Sequence, residues 1–289
     1  MRPHDLTRFQ LLVRFGYDGA RFHGVQPQGM GISTAGQAVK DRLLQAAGVP
    51  PKALNFAART DAGVHAIANL ATCYFRDVDD AAAEQIRRRL EQARDDGLVH
   101  VRAFRVPPTV HARGSARGKR YRYLVDDNAD PAQLERHRSW AVVPALDIDA
   151  MRAAARHLEG THDFSSLRGG NCSAASATKT LARVRIGGPF PLQQGQHRFL
   201  VEVAGNAFLR KMMRNLTALL VEIGAGLRSP DDVPAILATR DRSAAGVCAP
   251  PQGLTLLVVG CAWPEDGTGL IKEIATSAEG STDASEVDE

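Results

Sequence analysis

The sequence predicts an α+β fold made of two similar halves with a cleft between them. Two observations lead to this prediction. Strand and helix patterns occur in the order βαββαβ twice along the chain, and 289 residues are enough for two modest domains that each bury a core. The order of the elements carries more of the prediction than their ends do.

The first half contains four strand patterns and two helix patterns. A Thr34/Gln37 capping box marks the start of the first helix. In chain order the predicted elements are a strand at Phe9–Phe15, a helix at Thr34–Ala47, strands at Ala53–Ala57 and Asn69–Phe75, a helix near Ala81–Ala93 and a strand at Leu98–Val106. Their order is βαββαβ.

The second half repeats this order with one added helix. Apolar residues recur at helical spacing in both of its longer helices, which indicates faces that pack against a core. The predicted elements are a strand at Arg120–Val125, a helix at Ile148–Leu158, strands at Thr180–Ile186 and Phe199–Ala204, helices at Asn206–Ile223 and near Asp231–Leu237, and a strand at Leu254–Val259. The order is typical of ferredoxin-like halves, which can join their sheets.

The charge distribution predicts a polyanionic partner. The formal net charge is +4, but residues 265–289 hold eight acids and a single lysine, which leaves 35 basic and 24 acidic residues, or +11, on residues 1–264. The predicted units are therefore 1–112, 113–264 and an acidic tail at 265–289. The tail lacks the apolar content to fold alone, so we expect it to be disordered.

Cysteine spacing and hydropathy limit the class of protein. Cys73, Cys172, Cys248 and Cys261 lie far apart, which disfavours a structural zinc cluster, and the absence of a signal-peptide pattern predicts a cytoplasmic protein. No apolar run approaches the roughly 20 residues of a bilayer-spanning helix, so we expect no membrane role.

The most informative stretch is Ala58–Ala66, Ala-Arg-Thr-Asp-Ala-Gly-Val-His-Ala. If Arg59 and Asp61 continue the preceding strand, alternation points both side chains to one face, where the guanidinium can hold the carboxylate ionised. Gly63 then supplies a turn that presents the carboxylate at the rim of a sheet. The alternative is a surface turn with a salt-bridged aspartate.

This stretch resembles the G-R-T-D-A-G-V-H-A signature of the A-type tRNA pseudouridine synthases, with Ala58 where that family usually has Gly. The resemblance implies a pseudouridine synthase fold with a central active cleft. It also implies that Asp61 is the nucleophile and that Arg59 contacts RNA and everts the target uridine.

A second stretch, Val110–Val125, combines basic and aromatic residues, which serve RNA by neutralising phosphates and stacking bases. It resembles the family's F-H-A-R-x-S-A-x-x-x-R-Y-x-Y segment, which implies that Tyr121 packs against the flipped uracil and that Arg113 meets RNA. Tyr123 shares a strand face with Tyr121 and is expected in the core. The RNA-binding residues that we predict are His111, Arg113, Lys119, Arg120, Arg168 and Arg210. An ordinary solvated basic strand is the alternative.

The segment Asn206–Gly226 resembles the family's N-A-F-L-x-x-M-V-R-N helix. The resemblance implies that Arg214 pairs with the catalytic carboxylate and keeps Asp61 deprotonated and aimed. On the predicted helix Arg210 lies one turn before Arg214. Without the resemblance, a basic face toward solvent explains these residues.

Three further blocks match the family: Phe15–Gln28, Asp163–Leu167 with Arg168 and Cys172, and Asp241–Leu256. The chain departs from the family pattern at substrate edges and packing positions, which bears on substrate preference rather than on chemistry. The departures are Val25, Ala58, Ala218, Cys248, Cys261 and an absent arginine after Cys172.

The resemblance implies isomerisation of uridine to pseudouridine in the anticodon stem-loop of tRNA, at positions 38, 39 and 40, by a homodimer. Because this reaction involves no redox step and no group donor, we predict activity without a metal or an organic cofactor. Two alternatives remain. A tRNA-binding or RNA-folding protein on the same scaffold needs the basic cleft but not the chemistry. A hydrolase using Asp61 and His65 needs a third ligand or partner, and Gly63 makes a helix through that pair unfavourable, so a structural role for His65 is favoured.

Overall fold

The computed structural model describes residues 8–29, 31–94, 96–128, 137–192 and 195–261. Within these ranges the chain forms one ten-stranded sheet and five α-helices. The strands are β1 Arg8–Tyr17, β2 Lys52–Phe56, β3 His65–Arg76, β4 Leu98–Arg105, β5 Ala116–Asp127, β6 Trp140–Ala141, β7 Gly160–Asp163, β8 Thr178–Pro191, β9 His197–Gly205 and β10 Leu254–Cys261. The helices are α1 Ala35–Ala47, α2 Asp80–Gln92, α3 Ile148–Leu158, α4 Met212–Gly224 and α5 Asp232–Thr239.

The sheet contains two halves with the same strand order. In the first half β4, β1, β3 and β2 are neighbours in that order, and in the second half β10, β5, β9 and β8 are, with all these pairs antiparallel. A short parallel pairing of β10 with the start of β3, Thr255 opposite His65 and Leu256 opposite Ala66, joins the halves. The predicted α+β fold of two ferredoxin-like halves is confirmed.

Strand alternation builds the core of the second half. Tyr121, Tyr123 and Val125 of β5 lie opposite Val203, Val201 and Phe199 of β9, and all six side chains are buried. Helix α3 lies next to β8 and α4 and buries Met151, Ala155 and Leu158, the stripe expected from its sequence.

Several predicted elements have ends that differ from the structure, and two of the differences lie at the site described below. Strand β2 ends at Phe56, so Arg59 and Asp61 do not continue it. Helix α4 begins at Met212 rather than Asn206, because Lys211 has a left-handed backbone (φ 60) and the Arg210 carbonyl accepts a hydrogen bond from the Gly169 amide. Arg210 is consequently not one helical turn before Arg214.

Smaller differences concern two short strands and the cap of α1. Strands β6 and β7 were not predicted, since β6 has two residues and β7 has four. The Thr34 hydroxyl caps α1 through the Gln37 amide, but the Gln37 side chain bonds Asp41, so only half of the capping box forms. The predicted acidic tail lies outside the described residues, and the division at residue 112 stays a prediction. None of the helices described has the length and apolar character needed to cross a bilayer.

Candidate active site

The loop at residues 57–64, between β2 and β3, carries Asp61 and is fixed by backbone contacts. The Asn69 side chain, fully buried, accepts from the Ala58 amide at 3.2 Å and donates to the Ala58 carbonyl at 3.0 Å. The Thr60 hydroxyl lies 2.7 Å from the Tyr17 hydroxyl. These bonds hold the loop on the N-terminal side of Asp61, so the position of Asp61 is set before any ligand binds.

Gly63 gives the loop its turn after Asp61. It has φ 80, a conformation that costs other residues about 1–2 kcal/mol. The Val64 amide donates to the Asp61 carbonyl at 3.2 Å, and a Cβ on Gly63 would come 3.0 Å from Cγ of Pro251. A side chain at this position would therefore disturb both the turn and its packing on the second half.

Arg214 of α4 reaches across the cleft to Asp61. Its Nη1 donates to Asp61 Oδ2 at 2.9 Å, and its Nε donates to the Ala249 carbonyl at 2.7 Å. The Arg214 side chain is 13% exposed and that of Asp61 29%, so the pair is shielded from water but still accessible from the cleft. By contrast, Arg59 is exposed and makes no hydrogen bond or ion pair with a described residue, so the guanidinium that holds the carboxylate belongs to the other half.

An aromatic pair lies beside the carboxylate. The ring of Tyr121 meets that of Phe208 edge to face, with centroids 4.9 Å apart. Burial, and then the nearby charges of Tyr17 and Asp61, raise the pKa of Tyr121, which keeps its hydroxyl protonated at neutral pH. Tyr123 is fully buried and donates to the Pro250 carbonyl at 2.5 Å, so it is a core residue.

These groups line one cavity of about 570 Å³ between the halves, a size typical of ligand sites. The first half contributes Arg59, Thr60 and Asp61 to its wall. The second half contributes the two rings and a set of basic residues, Arg113, Lys119, Arg210, Lys211 and Arg214. Burial and the neighbouring Arg113 lower the pKa of Lys119 to about 8. The cavity thus joins one carboxylate, a stacking surface and an excess of cations.

The other three predicted RNA-binding residues, Arg168, His111 and Arg120, do not line this cavity. Arg168 donates to the carbonyls of Cys172 and Ala174 and lines a neighbouring depression. His111 is exposed outside the cavity wall, and Arg120 alternates to the face of β5 away from Tyr121. The predicted helix began at Asn206, six residues before α4 does, and so placed Phe208 on the apolar face of a helix. Sequence reasoning therefore missed the place of Phe208 in the cavity wall.

His65 has a structural position. Its Nδ1 accepts from the Gly19 amide at 3.0 Å, and its Nε2 lies 3.1 Å from the Gln252 carbonyl, which fits the tautomer protonated at Nε2. The ring is buried and does not line the cavity. The geometry therefore gives no support to a hydrolase that pairs Asp61 with His65.

Comparison with known proteins agrees with this arrangement. Residues 154–260 match a family model described as tRNA pseudouridine synthase. A protein named tRNA pseudouridine synthase A from Geotalea uraniireducens is 34% identical over 250 residues, which cover 86% of this chain and 98% of that protein. Proteins of the same name from Paramagnetospirillum magneticum and Pseudomonas aeruginosa are 36% and 38% identical, over 87% and 84% of this chain and 94% and 82% of their own.

This chain belongs to the tRNA pseudouridine synthase A family. The predicted family and the predicted class of enzyme, an isomerase, are thereby confirmed. The structure also explains how this tRNA pseudouridine synthase A relative accommodates its departures from the family pattern. Val25, Ala58, Ala218 and Cys261 are all buried packing positions, and none of them contributes a group that lines the cavity.

Proposed function

We propose that this chain isomerises uridine to pseudouridine in the anticodon stem-loop of tRNA, with Asp61 as the nucleophile. The observation that carries the proposal is the ion pair of Asp61 with Arg214, which faces a cavity that also holds Tyr121. A carboxylate in a partly enclosed site is the group that nucleophilic catalysis needs, and the guanidinium directs it.

The reaction breaks the N1–C1′ bond of the uridine, turns the released uracil while it stays bound, and forms a C5–C1′ bond. The C5 hydrogen leaves to solvent and N1 gains one, so the product is an isomer and no redox step occurs. Asp61 acts at C1′ or C6, or begins proton removal toward a glycal. Tyr121 and Phe208 hold the uracil between bond breaking and bond making.

The target base must leave its stack to reach the cavity. Arg59 is exposed at the rim of the cavity and has no partner among the described residues, so its guanidinium is available to take the place of the everted base. Arg113, Lys119 and Arg210 neutralise the RNA backbone at the entrance. The proposal includes positions 38, 39 and 40 as targets, a homodimer, and a cytoplasmic location.

The test measures tritium release from tRNA labelled at uracil C5, with and without a chelator. Asp61→Asn should abolish release and still bind tRNA, since the amide can accept from Arg214 but cannot act as a carboxylate. Asp96→Asn is the matched control, because Asp96 is 25% exposed and pairs with Arg42 away from the cavity wall. Release by Asp61→Asn at the rate of the control would remove Asp61 as the nucleophile.

The same assay separates the alternatives. A tRNA-binding protein without chemistry would bind the tRNA and release no tritium in the native form. Release that stops with the chelator would indicate a metal-dependent reaction, whereas the proposal requires release that is unchanged. Mapping pseudouridines in the product tRNA then tests the three positions, and sedimentation tests the dimer.

A further inference from the structure

A second basic depression adjoins the cavity. Its volume is about 440 Å³, and two residues, Asn171 and Cys172, line both the depression and the cavity, so the two spaces share a wall. The rest of its wall comes from the loop after β7 and from the turn after α5. Those residues are Ser165, Arg168, Gly169, Gly170, Arg240 and Arg242.

Three guanidiniums and no carboxylate line this depression. Arg168 is anchored to the carbonyls of Cys172 and Ala174, and Arg242 donates to the carbonyl of Gly246 and to the side chain of Asn215. Each anchored guanidinium keeps further N–H groups for another acceptor, because arginine has five donors. Fixed guanidiniums around an open space are a preferred arrangement for phosphate oxygens.

The nearby acids do not neutralise this set. Asp163 lies 3.3 Å from Arg240, and Asp241 accepts from the amide and hydroxyl of Ser243 within its own turn. Two carboxylates are therefore opposed to three arginines, and only Asp163 forms an ion pair with one of them. The surplus of positive charge remains on the wall of the depression.

The backbone of Arg240 is a second sign that this side chain is used. Arg240 ends α5 with φ 53, a left-handed position at which helices usually have Gly or Asn. Its side chain is 71% exposed, so burial in the core does not account for an arginine there. The exposed guanidinium of Arg240 is therefore carried by a strained backbone position beside the depression.

We propose that this depression binds a phosphodiester of the substrate RNA next to the target uridine. The inference rests on the proposed function, because the shared wall of Asn171 and Cys172 places the arginines beside the cavity that the target uridine enters. Arg240 and Arg168 hold the phosphate by charge-assisted hydrogen bonds, which fix the position of the strand without reading its sequence.

The test compares Arg240→Gln with Arg88→Gln. Arg88 is 69% exposed and pairs with Glu84 at 2.9 Å on α2, so both variants remove one exposed, ion-paired arginine and the same charge. Binding of unmodified tRNA is measured over a range of salt concentrations. We expect Arg240→Gln to weaken binding about threefold to tenfold and to lower the slope of log K against log salt by about one. Arg88→Gln should match the native protein.

Arg240→Gly distinguishes an RNA contact from a structural role. Glycine suits the left-handed position, so the thermal midpoint should not fall, while RNA binding should weaken as in Arg240→Gln. Equal binding and equal salt slopes for Arg240→Gln and Arg88→Gln would overturn the proposal, and so would weakened binding that always accompanies a lower midpoint. Binding is measured apart from tritium release, so a native protein without turnover would contradict the proposed function and leave this comparison readable.

Discussion

Replacing Arg214 with lysine tests whether Asp61 acts only when a guanidinium directs it. Arg214 makes two bonds in different directions, to Asp61 Oδ2 at 2.9 Å and to the Ala249 carbonyl at 2.7 Å. A lysine ammonium is a compact charge on a flexible stem and lacks the rigid fork that holds both acceptors at once. Arg214→Lys therefore keeps the charge beside Asp61 and loses the fixed direction.

The magnitudes separate an effect on catalysis from one on stability. Breaking a fully buried ion pair costs about 3–5 kcal/mol and an exposed one about 0–1 kcal/mol. Arg214 and Asp61 are 13% and 29% exposed, and lysine retains the charge. We therefore expect Arg214→Lys to lower the free energy of unfolding by about 1 kcal/mol, which corresponds to a fall of about 2–4 °C in thermal midpoint. A reacting group misplaced by about 1 Å loses about 100-fold in rate, which is about 2.7 kcal/mol of barrier.

Arg228→Lys is the matched control, since Arg228 also joins one carboxylate and one carbonyl. It bonds Glu222 at 2.6 Å and the Ala244 carbonyl at 3.0 Å, with side-chain exposures of 29% and 16%, away from the cavity wall. Tritium release under saturating tRNA should show kcat reduced about 100-fold in Arg214→Lys with KM nearly unchanged, and a native kcat in Arg228→Lys. A native kcat in Arg214→Lys, or equal losses in both variants, would refute the reasoning.

Three further predictions concern the surroundings of this pair. Tyr121→Ala should lose about 1–3 kcal/mol of stacking energy with the target base, which is measured as slower tritium release. Tyr123→Phe should lower the free energy of unfolding in urea by about 1 kcal/mol, because it loses the bond to the Pro250 carbonyl, and should keep the native rate of tritium release. The pKa of Lys119 is lowered from 10.5 to about 8, so the free energy of unfolding of the native protein rises between these pH values, where the unfolded chain binds more protons. The free energy of unfolding of Lys119→Met should therefore exceed that of the native protein most below pH 8. A difference that stays constant up to pH 10.5 would contradict this prediction. Gly63→Ala and Gly48→Ala both put alanine at positive φ and should each lower the free energy of unfolding by about 1–2 kcal/mol. The value of kcat should fall only in Gly63→Ala, because Gly48 has open space around it and does not line the cavity.

The fold could be predicted because its determinants are local. Alternating apolar residues mark the strands, and helix α3 has the bounds that its stripe and cap predict, from Asp147 at its N-cap to Leu158. Each half also repeats the same order of elements, so an error in one end does not change the topology. The short strands β6 and β7 escaped this reasoning because pairs of two or four residues carry little periodic signal.

The site was less accessible to sequence reasoning, because tertiary contacts set its backbone. Alternation placed Arg59 beside Asp61, but Asn69 clamps the backbone at Ala58 and turns residues 57–64 out of the strand. In the same way the Gly169 amide bonds the Arg210 carbonyl and delays the start of α4. Nothing in the local pattern signals either contact. Arg240 and Arg242 were also missed as a pair, although the spacing of two arginines around Asp241 was visible in the sequence.

The position of Asp61 follows from the joint between the halves. Strand β3 begins at His65, four residues after Asp61, and this first residue is the one that pairs with Thr255 of β10. The loop that carries the carboxylate is thus tied directly to the second half, which supplies Arg214. Neither half alone holds both members of the pair, so the carboxylate can be directed and enclosed only when the two sheets are joined. The duplicated fold is therefore a requirement of the chemistry and not only a scaffold for it.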